Sequence, residues 1–159
     1  MPPNLKFLFT HPAHLIAFGF GSGLAPRAPG TVGTLLGLPL FWLIAAIASD
    51  LPNQIILLTA TFLLGVWACG RTGRALGVAD HGGMVWDEIV AFALVLLFTP
   101  AGWLWVALAF GLFRLFDILK PWPIRIADAR MKNGFGVMFD DLLAAAYAIA
   151  IIKGLQWLV

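Results

Sequence analysis

Arg114, Asp117 and Lys120 recur at every third position of Phe113-Arg-Leu-Phe-Asp-Ile-Leu-Lys-Pro-Trp-Pro123. On a helix running to Lys120, each sits about 300° on from the last, so the three share roughly 120° of arc. Pro121 predicts the helix end there, because the residue before a proline resists αR geometry. A carboxylate and two cations at the end of an apolar helix are costly against lipid and therefore point to a polar site. Snorkelling to the interface accounts for the cations but not for Asp117. Two carboxylate pairs, Asp87-Glu88 and Asp140-Asp141, open two further apolar runs. Acids at a helix N-terminus also complement the macrodipole, so each pair alone reads equally as a cap or as ligands. Asp117 stands where the dipole disfavours an anion, and with it the three clusters together read as a site. Crowded carboxylates repel one another unless a cation joins them. A hard divalent ion such as Mg²⁺ takes oxygen ligands of this kind, completed by water and phosphate. Arg114, Lys120 and Arg125 stand beside the acids, with Arg27 in a glycine-rich stretch. Acids to hold a metal and cations to hold oxyanions together describe phosphoryl chemistry. His81, next to Asp80, is a candidate general acid or base near neutral pH.

The elements that must position these groups are membrane helices. Of 159 residues, 61% are hydrophobic and 11% charged, and the mean hydropathy is +0.93. A soluble domain carries about 25% charged residues. The expectation is an all-α, polytopic membrane bundle in one domain over residues 1–159. A net charge of +2 is too small to suggest a nucleic-acid partner, and none is expected. The single cysteine, Cys69, permits no intrachain disulfide, and its apolar run argues against a nucleophile. The N-terminus lacks the basic start and small-residue cleavage site of a secretory signal peptide.

In chain order, residues 1–10 are expected to be frayed or to lie on the membrane surface, and His14 to Phe20 is too short to span. Gly19 to Thr34 holds glycines 19, 21, 23, 30 and 33 and reads as a loop, either flexible or wrapped around an anion through its N–H groups. Thr34 would cap a first span over Leu35–Ser49, and Gln54–Gly70 forms the second. Residues 89–113 are either one helix kinked at Pro100 or a hairpin of Val85–Phe98 and Gly102–Lys120. Residues 121–139 are polar, and Leu142–Val159 is the last span.

Charge decides between the two readings. With the hairpin there are about five membrane helices, the third and fourth forming a short pair. Nine of the ten Lys and Arg residues then fall at one face, leaving only Lys153 near the other. That is the positive-inside bias of a cytoplasmic face. Asp80, Asp87, Glu88, Asp117, Asp128, Asp140 and Asp141 join it, although acids influence orientation little.

Four motifs stand in order: Gly19-Phe-Gly-Ser-Gly-Leu-Ala-Pro with Pro29-Gly-Thr-Val-Gly, Asp80-His-Gly-Gly-Met-Val-Trp-Asp-Glu88, Phe113 through Arg125, and Gly134-Phe-Gly-Val-Met-Phe-Asp-Asp141. Over roughly residues 11–150 the chain closely resembles the bacterial phosphatidylglycerophosphatase A family. The resemblance implies a Mg²⁺-dependent inner-membrane enzyme that hydrolyses phosphatidylglycerophosphate to phosphatidylglycerol and phosphate. On that reading Asp80, Asp87, Glu88, Asp140 and Asp141 supply metal ligands. Asp117 is a ligand, a base or the nucleophile of an aspartyl-phosphate. Arg114 and Lys120 assist at the phosphate with His81, and Arg27, Thr31, Lys120 and Arg125 bind the phospholipid substrate. A CDP-alcohol phosphatidyltransferase is the nearest alternative, but its spaced Asp-Gly and Asp pattern is missing. A small cation transporter would place its acids near the bilayer midplane rather than at one face.

Overall fold

The structure, a computed structural model, describes residues 3–158. Among the described residues it is helical, without strands. Short α1 (Leu5–Leu8) and α2 (Pro12–Ala17) lead through a 3₁₀ turn at Gly19–Leu24 into α3 (Pro29–Leu35) and α4 (Gly37–Ile47). Then follow α5 (Leu51–Leu76), α6 (Trp86–Leu97), α7 (Trp103–Leu119), α8 (Ile124–Arg130) and α9 (Gly134–Gln156).

The helix ends carry their own signals. Asp50 caps α5 by accepting the Asn53 N–H at 3.0 Å. Gly77 ends the same helix at φ +71°, a left-handed position that glycine takes without strain. Asn133 caps α9 by accepting the Gly136 N–H at 2.9 Å. The hairpin reading holds: α6 and α7 are two helices joined through Thr99 to Gly102, within two residues of the expected bounds. Pro100 lies in the turn and kinks nothing.

Three stretches are long and apolar enough to cross a membrane: Pro29–Ile47, Leu51–Leu76 and Gly134–Gln156. The α6–α7 hairpin completes the bundle. The last helix is its axis, packed on α5, α6, α7 and α8. At the junction of α5, α6 and α9, a side chain on Gly65 would collide with Met138 and Trp86.

Three expectations are corrected and a fourth is narrowed. The first span begins at Pro29 rather than Leu35, so much of the supposed glycine loop is helix. Gly30, Gly33 and Gly37 recur at i, i+3 and i+7, which places them on one face and lets α6 approach. A Cβ on Gly37 would stand 2.9 Å from the Phe92 ring, and one on Gly33 would overlap Val85. Thr34 is therefore buried mid-segment rather than capping. The last helix starts at Gly134 rather than near Leu142, so Asp140 and Asp141 lie about 9 Å inside it and are no N-terminal cap. The 121–139 segment is not simply a polar loop: it holds α8 and the first turns of α9. Of the two readings for residues 3–10, fraying fails, while Leu5 and Phe9 stay exposed as on a segment lying at the membrane surface. Leu8 is fully buried, Phe7 stacks on His14 with ring centres 4.4 Å apart, and His14 Nδ1 lies 2.9 Å from the Thr72 hydroxyl on α5. Residues 1 and 2 lie outside the described residues.

Candidate active site

The open end of the α6–α7 hairpin meets the inner part of α9, and most of the charge gathers there. Asp87 and Glu88 come from the first turn of α6, Arg114 and Asp117 from the last turns of α7, and Asp140 and Asp141 from the second and third turns of α9. Ligand oxygens of Glu88, Asp117 and Asp141 lie within 4.8 Å of one another. Asp87, Asp140 and Asp141 are buried.

One guanidinium ties the floor together. Arg114 Nη1 donates to Glu88 Oε1 at 2.9 Å, to Asp117 Oδ2 at 2.5 Å and to the Thr34 hydroxyl at 3.4 Å. Thr34 Oγ1 in turn donates to the Gly30 carbonyl at 2.8 Å, which aims its lone pairs at the arginine. Lys120, just past the helix end, donates to Asp140 Oδ2 at 2.5 Å and pairs with Asp128 on α8 at 3.1 Å. Burial opposes its charge, but the hydrogen bond and charge of Asp140, then those of Asp128, more than offset this. They hold the ammonium above its usual range, so Lys120 stays charged through neutral pH.

Five carboxylates, at 87, 88, 117, 140 and 141, thus face two cations, Arg114 and Lys120. Oxygens of Asp87 (Oδ1), Glu88 (Oε2) and Asp141 (Oδ2) are buried without a hydrogen-bond partner. Buried carboxylate oxygens without donors are expensive. The donor set is all oxygen, as a hard divalent cation requires. The residues therefore fit a metal of that class.

The remaining sequence candidates lie around this floor. His81 accepts the Gly83 N–H on Nδ1 at 3.0 Å and faces Phe18. Asp80, Arg27 and Arg125 are exposed, and Thr31 is half-buried on α3. None of the hydrogen bonds or ion pairs described above joins these five to the carboxylates. Sequence reasoning missed three contributors. Thr34 orients Arg114. Asp128 pairs with Lys120, and with Lys132 at 3.9 Å, rather than with Arg125 or Arg130. Gly30 makes room, since a Cβ there would overlap Glu88 Oε1 and stand 3.1 Å from Arg114 Nη2. The i, i+3, i+7 glycine spacing was the available signal for the last.

Two expected results follow from this geometry. Gly30→Ala forces Glu88 off the floor, so turnover should fall at least tenfold while the protein still folds. Steady-state rates of the purified variant check this, and a rate within twofold of wild type would show that Glu88 has slack. Asp128→Asn removes one of two acids on a partly exposed Lys120, a pair of the kind worth about 0–1 kcal/mol. Its rate should fall less than tenfold, and a larger loss would place α8 in the chemistry.

The family model for Phosphatidylglycerophosphatase A matches residues 15–156, nearly the whole chain. The chain belongs to the phosphatidylglycerophosphatase A family. It is 45% identical to the Phosphatidylglycerophosphatase A of Haemophilus influenzae, over 98% of this chain and 95% of that protein. It is 40% identical to the protein of the same name from Escherichia coli, over 92% and 85%. A Bacteroides thetaiotaomicron protein described as "Putative phosphatidylinositol-3-phosphatase" is 39% identical over 91% and 94%. No solved structure matches. The chain is thus a phosphatase.

Proposed function

We propose that this phosphatase hydrolyses the terminal phosphomonoester of phosphatidylglycerophosphate at the cytoplasmic face of the bacterial inner membrane, as the last step of phosphatidylglycerol synthesis, with Mg²⁺ as cofactor. One observation carries the reading: carboxylates from three helices converge, and Glu88 Oε2 and Asp141 Oδ2 are buried there without partners. Glu88, Asp117 and Asp141 would hold the metal, with Asp87 and Asp140 beside them and Asp80 at the rim. Bound there, Mg²⁺ supplies charge neutralisation at the phosphate and a water of lowered pKa.

The chain's own groups do the rest. Arg114 spans Glu88 and Asp117 and fixes both carboxylates, so it positions the floor rather than reaching for phosphate. Lys120 has three ammonium protons. Asp140 and Asp128 take two, and the third is directed to a phosphate oxygen. Asp117 has one oxygen committed to Arg114, which favours attack by water over attack by the aspartate itself. The water oxygen bonds to phosphorus, the bond from phosphorus to the glycerol oxygen breaks, and that oxygen takes up a proton. The attacking water supplies that proton, relayed through solvent, and His81, whose Nδ1 accepts the Gly83 N–H at 3.0 Å, is assigned to donate a hydrogen bond from Nε2 to the phosphate. Arg27, Thr31 and Arg125 are assigned to the phosphodiester of the headgroup.

Phosphate release by detergent-purified protein tests the reading. Release from phosphatidylglycerophosphate should need Mg²⁺ and stop with EDTA, and should exceed release from phosphatidylinositol 3-phosphate. Equal rates with EDTA would remove the metal from the reading. A preference for the inositol lipid would remove the named substrate but keep the chemistry. The cytoplasmic face rests on the segregated cations, and impermeant thiol labelling of intact cells checks it. In a Cys69→Ser background, Asn53→Cys should label and Arg130→Cys should not.

A further inference from the structure

Where α5, α6 and α9 meet, the bundle wall is open. A groove of about 310 Å³ runs between Thr59 and Phe62 on α5, Ala91 and Leu94 on α6, and Met138 and Leu142 on α9. Its walls are apolar. The Thr59 hydroxyl is satisfied by the Ile55 carbonyl at 2.8 Å. The exception is Asp87, which closes one end, is 7% exposed, and has Oδ1 buried without a partner. Asp87 and Glu88 share the first turn of α6, so this end of the groove lies at the level of the carboxylate floor. From Asp87 to Leu94 it follows α6 for about 10 Å. That is two-thirds of the depth of one hydrocarbon leaflet, about 15 Å. Thr59 is exposed on the outer face of α5, so the groove is open along the flank that meets lipid.

We propose that this groove holds one acyl chain of the lipid whose phosphate is removed, and that the substrate enters it sideways from the bilayer. The inference rests on the lipid-phosphatase reading above. A polar occupant would find no partners along the walls. A helix of a second copy would seal Asp87 away with its oxygen still unpaired. An acyl chain asks nothing of the walls and leads at its glycerol end to the charged floor, where the headgroup must arrive. Lipid tails are as apolar as leucine, so the groove adds little affinity for a chain already in hydrocarbon. What it supplies is register: one chain held in place fixes the depth of the glycerol and presents the phosphomonoester to the site.

Filling the groove tests this. Thr59→Trp places a bulky ring in it from an exposed position, and Leu142→Trp does so from the opposite wall. Rates are measured on dioleoyl phosphatidylglycerophosphate and on its chain-free headgroup, glycerophosphoglycerophosphate. The ratio of kcat/KM between the two should fall at least tenfold in both variants. A photoreactive phosphatidylglycerophosphate with a mid-chain diazirine should label α5, α6 or α9 in the wild type and lose that label in Thr59→Trp. A ratio within twofold of wild type, equal losses on both substrates, label spread over other helices, or a changed oligomeric state in Thr59→Trp overturns the proposal. A wild type that releases phosphate from neither substrate overturns the phosphatase reading instead. The photolabel then decides the groove by itself, groove labelling supporting it and labelling elsewhere overturning it.

Discussion

Asp141→Asn should lower turnover by at least a thousandfold, about 4 kcal/mol of barrier, without lowering the stability of the metal-free protein. Asp141 is buried on α9, and one of its oxygens has no partner. Turning it into a neutral amide removes an uncompensated buried charge, which by itself is neutral or favourable to folding. The same change removes one of three converging ligands, and with it much of the stabilisation that a bound cation confers. That stabilisation is about 2.7 kcal/mol when Mg²⁺ is a hundredfold above its dissociation constant. Unfolding in detergent with EDTA and with saturating Mg²⁺, alongside turnover, separates these terms. A variant as slow as expected but also unstable in EDTA would make Asp141 a structural residue. A variant with a near-normal rate would sink the metal floor. Asp140→Asn should behave differently, because it breaks the bond to Lys120 and so costs stability whether or not metal is present.

Arg114→Leu should destabilise the metal-free protein by about 3–5 kcal/mol, the range for breaking a buried ion pair from one side. Glu88 and Asp117 would be left facing each other across a largely buried floor, their side chains only 14% and 12% exposed. Saturating Mg²⁺ should restore part of the loss, because the cation supplies some of the missing charge. Arg114→Lys keeps the charge but offers a point donor in place of a planar fork, and should fall between wild type and the leucine variant. A loss below about 0.5 kcal/mol for Arg114→Leu, measured by denaturant unfolding with EDTA, would mean that the carboxylates are held by something else.

Much of this architecture was legible in the residues. The hairpin followed from charge: only two helices over 85–120 put Arg71 and Arg74 on the same side as Arg114 to Lys132. The acids of the floor were legible because Asp117 stands at a helix C-terminus, where the dipole disfavours an anion, although each carboxylate pair alone reads equally as a cap. Their partners were not. Arg114 and Lys120 are one helical face in the sequence, yet Arg114 turns to Glu88 and Lys120 to Asp140, which are 26 positions back and 20 positions on. Such choices are made by tertiary packing and leave no local trace. The glycine-rich stretch misled for a different reason. Glycine counts equally toward a loop and toward a close helix crossing, and only the spacing of Gly30, Gly33 and Gly37 separates them. The start of α9 was misplaced because Gly134 and Gly136 resemble a loop, whereas a Cβ at Gly134 would strike the Val66 carbonyl and one at Gly136 the Met131 carbonyl.

The hairpin has a consequence for how the protein reaches its membrane. Its two legs carry Asp87 and Glu88 at one open tip and Arg114, Asp117 and Lys120 at the other, while residues 89–113 between them contain no ionisable group. Biogenesis therefore never has to drag a charge of this region through hydrocarbon. The uncharged loop at Thr99 to Gly102 can lead across as a helical pair, and in the proposed orientation both halves of the acidic floor stay on the side where the ribosome released them. Assembly of the site is then a lateral docking of this pair against α9, with each component already at the correct depth.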